Sequence, residues 1–227
     1  MTAAVFSGAP VLDPVVFIVD DDVSVRESLE ALIGFAGWQP ETFSSAEEFL
    51  ARPRPNSPSC LVLDVSLPEL NGLDLQKLLA VDRHEMPIIF ITGHGDIPMT
   101  VQAMKAGAAE FLTKPIDDEV LLSTIRHAIE CSRAELGSEV VLRELRNRWD
   151  SLTPREREVV ELVVAGLLNK QVGYKLGISE ITVKAHRGNA MQKMKADSLA
   201  DMVRMAAALG LRPAENPWKV SRSPESE

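Results

Sequence analysis

The chain has 227 residues and a formal net charge of −9; 45% of its residues are hydrophobic and 25% are charged. That is the make-up of an ordinary globular protein, with one large domain or two small ones. No apolar run approaches the roughly 20 residues that span a bilayer, and MTAAVFSGAPVLDP places no basic leader before an apolar stretch, so neither a membrane protein nor a secreted one is expected.

In chain order, residues 1–14 read as an N-terminal extension. Residues 15–132 alternate between two textures. Short aliphatic or β-branched runs predict strands at Val15–Val19, Cys60–Leu63, Ile88–Ile91 and Ala109–Leu112, with a weaker one at Gln39–Phe43. Helical periodicity covers Val23–Ala36, Ser45–Ala51, Leu73–Val81, Pro98–Ala106 and Asp118–Cys131. Five strand-helix repeats predict an α/β doubly wound domain of flavodoxin-like kind, with a five-stranded parallel sheet covered on both faces. Gly37, Gly72 and Gly107 fall where helices begin or end and are expected to serve turns.

Residues 133–150 predict a charged linker helix with a narrow apolar stripe of Val141, Leu145 and Trp149, broken or hinged at Gly137 and Ser138. No strand pattern follows. Residues 151–212 predict an all-α domain of four short helices, at Arg155–Ala165, Lys170–Leu176, Glu180–Met194 and Leu199–Leu209. Thr153, Asn169, Ser179 and Ser198 are the expected N-caps, with Pro154 in the first helical turn. The tight connection Leu176-Gly177-Ile178-Ser179 predicts a helix-turn-helix. Residues 213–227, rich in Pro, Ser and charge, predict a disordered tail. Cys60 and Cys131 lack metal-ligand spacing and are expected to be small buried hydrophobes in a reducing cytosol.

The net charge conceals an asymmetry. Residues 15–132 carry 8 Lys/Arg against 19 Asp/Glu, whereas 151–212 carry 10 against 6. From Asn169 to Lys195 the ratio is 6 to 1. An acidic whole-chain balance therefore argues nothing against a nucleic-acid partner for the second domain.

In parallel α/β sheets, ligands sit at the carboxyl ends of strands. Asp20 and Asp21 follow the first expected strand, Asp64 ends the third, Thr92 ends the fourth and Lys114 follows the fifth. Asp22 is explained by capping the next helix. Crowded carboxylates repel, and a hard divalent cation such as Mg²⁺ offsets that repulsion. Asp64 could then accept a phosphoryl group as a carboxylate nucleophile, with Lys114 and Thr92 contacting its oxygens.

This spacing resembles the receiver domain of two-component response regulators: Asp20-Asp21, Asp64 in LVLDVSLPELNG, Thr92 in IIFITGHGD, and Phe111 to Pro115 in EFLTKP. The resemblance implies that Asp64 takes phosphate from a sensor histidine kinase. It implies Mg²⁺ on Asp20, Asp21, Asp64 and the backbone carbonyl of Ser66. It also implies a cis peptide at Lys114-Pro115 and a switch pair of Thr92 and Phe111. Leu67-Pro68 stands where the family commonly has Met-Pro. A rival enzyme, a haloacid-dehalogenase-type phosphatase, needs a second acid where Ser66 stands. No enzyme activity is expected beyond self-phosphorylation and self-dephosphorylation at Asp64.

Within Ile178–Ala196, Val183, Ala190 and Met194 share one helix face, while Lys184, Ala185, Gly188 and Gln192 share another with Asn189 at its edge. A small, polar-flanked face suits insertion into the major groove. Lys170, Lys175, Arg187, Lys193 and Lys195 are the expected phosphate-attracting residues. Residues 151–212 resemble the LuxR-type helix-turn-helix, through Leu152 to Glu156, Gly166, Asn169-Lys170, Leu176, Ser179, Thr182-Val183, His186 and Lys193-Met194. The resemblance places Lys184, Ala185 and Gly188 at the groove and His186 in packing or against a phosphate, with Thr182 among the contact candidates.

Together the two resemblances imply a FixJ-like regulator, in a group that includes nodulation regulators. It would be a cytoplasmic transcription activator that dimerises when Asp64 is phosphorylated, binds promoter double-stranded DNA and engages RNA polymerase. The competing expectation is a DNA-binding regulator whose receiver only dimerises, independently of phosphorylation.

Overall fold

A computed structural model describes residues 13–68, 70–82, 86–93 and 97–211. The expected tail at 213–227 and most of the extension at 1–14 lie outside them.

The chain divides into two compact units, with the split between Gly137 and Ser138. In the first, strands β1 (Val15–Val19), β2 (Gln39–Phe43), β3 (Ser59–Asp64), β4 (Ile88–Thr92) and β5 (Glu110–Thr113) alternate with helices α1 (Val23–Phe35), α2 (Ala46–Ala51), α3 (Gly72–Asp82) and α4 (Ile97–Lys105). Helix α5 runs from Asp118 to Asp150. The sheet is parallel, in the order β2-β1-β3-β4-β5.

Alternation along β1 shows why both sheet faces are covered. Val15, Phe17 and Val19 join one buried cluster with Phe43, Phe49, Leu75 and Leu79. Val16 and Ile18 join the other, with Leu29 and Ile33 of α1 and Leu121 and Ile125 of α5. Phe17 and Phe49 meet edge-on at 5.4 Å between ring centroids, a favoured quadrupole geometry. Each such fully buried side chain contributes about 1.5–3 kcal/mol.

The strand order carries the functional consequence. The chain steps from β1 outward to β2, then returns to β3 on the other side of β1. The reversal opens a crevice at the carboxyl ends of β1 and β3. Val19 pairs with Leu63, so Asp20 and Asp64 leave the sheet side by side.

The second unit holds α6 (Pro154–Val164), α7 (Asn169–Leu176), α8 (Glu180–Met194) and α9 (Leu199–Ala208). Gly177 caps α7 with φ +66°, a left-handed conformation that glycine adopts without a Cβ clash. Ser179 Oγ then accepts from the Thr182 N–H at 3.1 Å and starts α8. This is the expected helix-turn-helix.

Four expectations need correction. α5 carries no break at Gly137 or Ser138; one glycine costs only about 1 kcal/mol in a helix interior, and strong helix formers flank it. Asn169 is the first residue of α7 rather than its N-cap; Gln171 Oε1 accepts the Leu168 N–H instead, at 2.8 Å. Cys131 is exposed rather than buried, with Sγ 3.7 Å from His127 Nε2, while Cys60 is buried and burial pushes its thiol up. In the linker stripe, Leu145 is buried and Trp149 packs beside it, but Val141 is exposed.

Candidate functional site

β1 delivers Asp20 into the crevice fully buried. The Asp22 N–H donates to Asp20 Oδ1 at 2.9 Å, and the Lys114 ammonium donates to Oδ2 at 2.8 Å. Arg26 donates to the Asp20 backbone carbonyl at 2.6 Å, fixing the strand end against α1. Burial pushes the Asp20 carboxyl up, outweighing the opposing pull of Lys114 and the Asp22 N–H. Asp22 itself caps α1, accepting from the Ser24 N–H at 2.8 Å.

Asp64 is buried at the end of β3. Lys114 Nζ also reaches Asp64 Oδ2, at 3.3 Å, and the Ser66 N–H donates to Oδ1 at 3.3 Å. Lys114 is itself placed by its own N–H, which donates to the Thr92 carbonyl at 2.8 Å, and a cis peptide joins it to Pro115. Burial works against its ammonium, but hydrogen bonds and charge from Asp20 and Asp64 outweigh it and raise its pKa. Asp20, Asp21 and Asp64 each offer an oxygen within 4.8 Å of the others, the only such group of potential metal ligands among the described residues. Two acids are buried and Asp21 is exposed, so an all-oxygen hard-cation site fits the donors present. Ser66 is exposed beside them.

Thr92 is fully buried at the end of β4. Phe111, half-buried on β5, lies 6.2 Å from Phe90 between ring centroids. Of the GHGD segment only Gly93 is within the described residues. Gly72 does more than begin a helix. A Cβ there would lie 2.7 Å from the Asp64 carbonyl oxygen and 3.2 Å from the Phe90 ring. The start of α3 therefore presses directly on the backbone of Asp64.

On α8 of the second unit, Val183, Ala190 and Met194 are buried, whereas Lys184, Ala185, Gly188, Asn189 and Gln192 are all exposed. Lys170, Lys175 and Lys195 are exposed as well. Three of the expected cationic contact residues already have partners. Lys184 pairs with Glu180 at 3.0 Å, Arg187 donates to Asn169 Oδ1 at 3.5 Å, and Lys193 pairs with buried Glu156 at 2.7 Å. Thr182 is half-buried, with Oγ1 2.8 Å from Ser179 Oγ, and His186 is half-buried too. The part played by Glu156 is not in the sequence reading, although T-x-x-E at Thr153–Glu156 is a capping-box signature.

Two family models match the chain: the response regulator receiver domain over residues 16–126, and bacterial regulatory proteins of the luxR family over 150–206. Nodulation protein W of Bradyrhizobium diazoefficiens is 50% identical over 87% of this chain and 87% of its own. Response regulator protein TodT of Pseudomonas putida is 46% identical over 86% of each. Among solved structures, response regulator StyR matches at 46% identity and a TM-score of 0.77, over 86% of this chain and 99% of that one. Full-length FixJ from B. japonicum matches at 39% identity and a TM-score of 0.52, over 87% and 98%. The receiver crevice and the helix-turn-helix are thus parts of one known architecture, and the chain belongs to the FixJ-like family of two-component response regulators, transcription regulators that join a receiver domain to a luxR-type DNA-binding domain.

Proposed function

We propose that this regulator is switched on by a phosphoryl group accepted at Asp64 from a sensor histidine kinase, then pairs with a second copy and activates promoters. The observation that carries the proposal is the Lys114 ammonium held between Asp20 and Asp64, at 2.8 and 3.3 Å. It fixes the Asp64 carboxylate beside a cation that can follow the incoming charge.

In the transfer, an Asp64 carboxylate oxygen bonds to phosphorus as the kinase's P–N bond breaks, and the histidine leaves with the electron pair. Lys114 takes a phosphoryl oxygen, and the Ser66 N–H steadies the acceptor. Asp20, Asp21, Asp64 and the Ser66 carbonyl would hold Mg²⁺, which supplies neutralising charge when bound. Self-dephosphorylation by water at the same phosphorus resets the switch. An open hollow of about 470 Å³ between α1 and Lys114, lined by Val25, Leu29 and Ile116, supports kinase docking beside the acceptor.

Thr92 then turns toward the phosphoryl group and Phe111 follows, remodelling the α4–β5 face. Ile97, Val101 and Met104 recur at four- and three-residue spacing on α4, and all are exposed. That apolar stripe supports homodimerisation through this face. A two-fold dimer matches a two-fold promoter site. Lys184, Ala185, Gly188 and Gln192 face the groove, with Thr182 at the edge of that face; Lys170, Lys175, Arg187 and Lys195 draw phosphates, and Lys193 does so with its donors not held by Glu156. RNA polymerase recruitment in the cytoplasm completes the activator role, and the name of the 50%-identical relative supports nodulation genes as targets.

The test is to incubate wild type and Asp64→Asn with a small phosphodonor, with Mg²⁺ or with EDTA. Covalent phosphate, dimer mass and promoter binding are then measured together. Phosphate on wild type alone, lost with EDTA and accompanied by dimers and tighter binding, is the expected result. Phosphate without change in dimerisation or DNA affinity would leave the receiver a phosphorylation-independent dimerisation module.

A further inference from the structure

Ile181 is 80% exposed in the first turn of α8. One exposed isoleucine is unremarkable by itself. Its position is what counts. Ile181, Ala185, Gly188 and Gln192 are spaced four, three and four residues apart, so at 3.6 residues per turn they form a single row. All four are exposed, on the side away from buried Val183, Ala190 and Met194. Ile181 is therefore the N-terminal member of the face that enters the groove, and the only large apolar side chain on it.

Recognition helices touch base edges mainly with their N-terminal residues. In the major groove, thymine alone among the four bases presents a methyl group, at C5, and apolar side chains read it. A polar base edge in the same place would lose its water to Ile181 without gaining a hydrogen bond. Ala185 and Gly188 behind it are small enough to let the helix approach closely. The local charge, 6 basic residues to 1 acidic between Asn169 and Lys195, suits duplex DNA rather than an apolar protein partner.

We infer that Ile181 is a specificity-determining residue that packs on the C5-methyl of a thymine in each half-site of the operator. The inference rests on the proposed reading of α8 as the groove helix, and it adds a base to that reading.

The test changes the DNA first. Full-length phosphorylated protein selects duplexes from a randomised library, and each thymine of the selected half-site is replaced in turn by uracil, which lacks only the methyl. One position per half-site should weaken wild-type binding about fourfold, the worth of one buried methyl-sized group. Ile181→Ala should bind the thymine duplex more weakly and show no further loss with uracil there, while Ile181→Val keeps part of the discrimination. Because the uracil arm leaves the protein unaltered, misfolding cannot imitate the result. Indifference of wild type to uracil at every position overturns the inference. So does an Ile181→Ala variant that keeps the full uracil effect, or that binds as wild type does and leaves Ile181 to a protein partner. Selection of no duplex at all overturns the groove reading itself, and this inference with it.

Discussion

The Lys193 ammonium lies 2.7 Å from the carboxylate of Glu156, tying the last turn of α8 to the first turn of α6. Glu156 also accepts the Thr153 N–H at 2.8 Å, while its own N–H donates to Thr153 Oγ1 at 3.3 Å. Burial works against the Glu156 charge, but Lys193 and Thr153 outweigh it and hold the carboxyl below its ordinary value of 4.5. A depressed carboxyl stabilises the fold above its unfolded pKa, and that stability is lost as pH falls through the folded value. Acid melts of the DNA-binding unit should therefore steepen below pH 4.5 in wild type and lose that component in Glu156→Gln. Glu156→Ala, which removes both the partner of Lys193 and the side-chain acceptor of the Thr153 N–H, should cost about 1–3 kcal/mol in denaturant unfolding. Identical acid profiles for wild type and Glu156→Gln would refute the assignment.

Gly72→Ala should damage the receiver although it adds one methyl. The new Cβ would stand 2.7 Å from the Asp64 carbonyl and 3.1 Å from the Val65 Cα, both backbone atoms that cannot swing aside. Overpacking of this kind costs about 1–3 kcal/mol. Thermal unfolding should show the loss, and phosphate incorporation at Asp64 should slow with it. A receiver that melts unchanged would show that α3 has room to retreat.

Leu145 belongs to the core of the second unit, although it lies in the segment expected to be linker. It is buried with Leu152, Val160, Ala190, Met194 and Met202. Leu145→Ala in the full chain should cost the DNA-binding unit about 2–5 kcal/mol and leave receiver phosphorylation at its wild-type rate. Calorimetry that resolves two transitions would check this. A shift confined to the receiver's transition would contradict it.

Glu180 holds Lys184 in a 3.0 Å ion pair, and on the proposed reading of α8 it competes with DNA for that ammonium. Glu180→Gln should free that ammonium and remove a carboxylate facing the phosphates. Affinity for any duplex should rise roughly twofold to fivefold at low salt, the gain fading as salt screens it. Binding isotherms across a salt series would read this out; weaker binding would mean that Glu180 itself contacts a base.

The sequence marked most of the crevice because its chemistry sits at strand ends, where hydrophobic runs stop abruptly at polar residues. Val15–Val19 and Gln39–Phe43 match their strands residue for residue. Asp22, Thr153, Ser179 and Ser198 cap their helices with side-chain oxygens as expected. What stayed hidden depends on contacts distant in sequence. Neither the closeness of Gly72 to Asp64, nor Lys193 reaching Glu156, leaves a local pattern at either partner. The break expected at Gly137 failed for the opposite reason: a local signal was outweighed by the helix formers around it. The α8 face was legible as a periodic pattern, but the ion pairs that occupy its cations were not.

The two thiols differ in a way that makes the native chain convenient to label. Cys60 is sealed in the core with its thiol pushed up, while Cys131 is exposed on α5. A maleimide dye or nitroxide added to the folded protein should therefore attach at one place, without any engineered cysteine. Spectroscopy could then follow the environment of α5 through a phosphorylation cycle in the unmodified sequence.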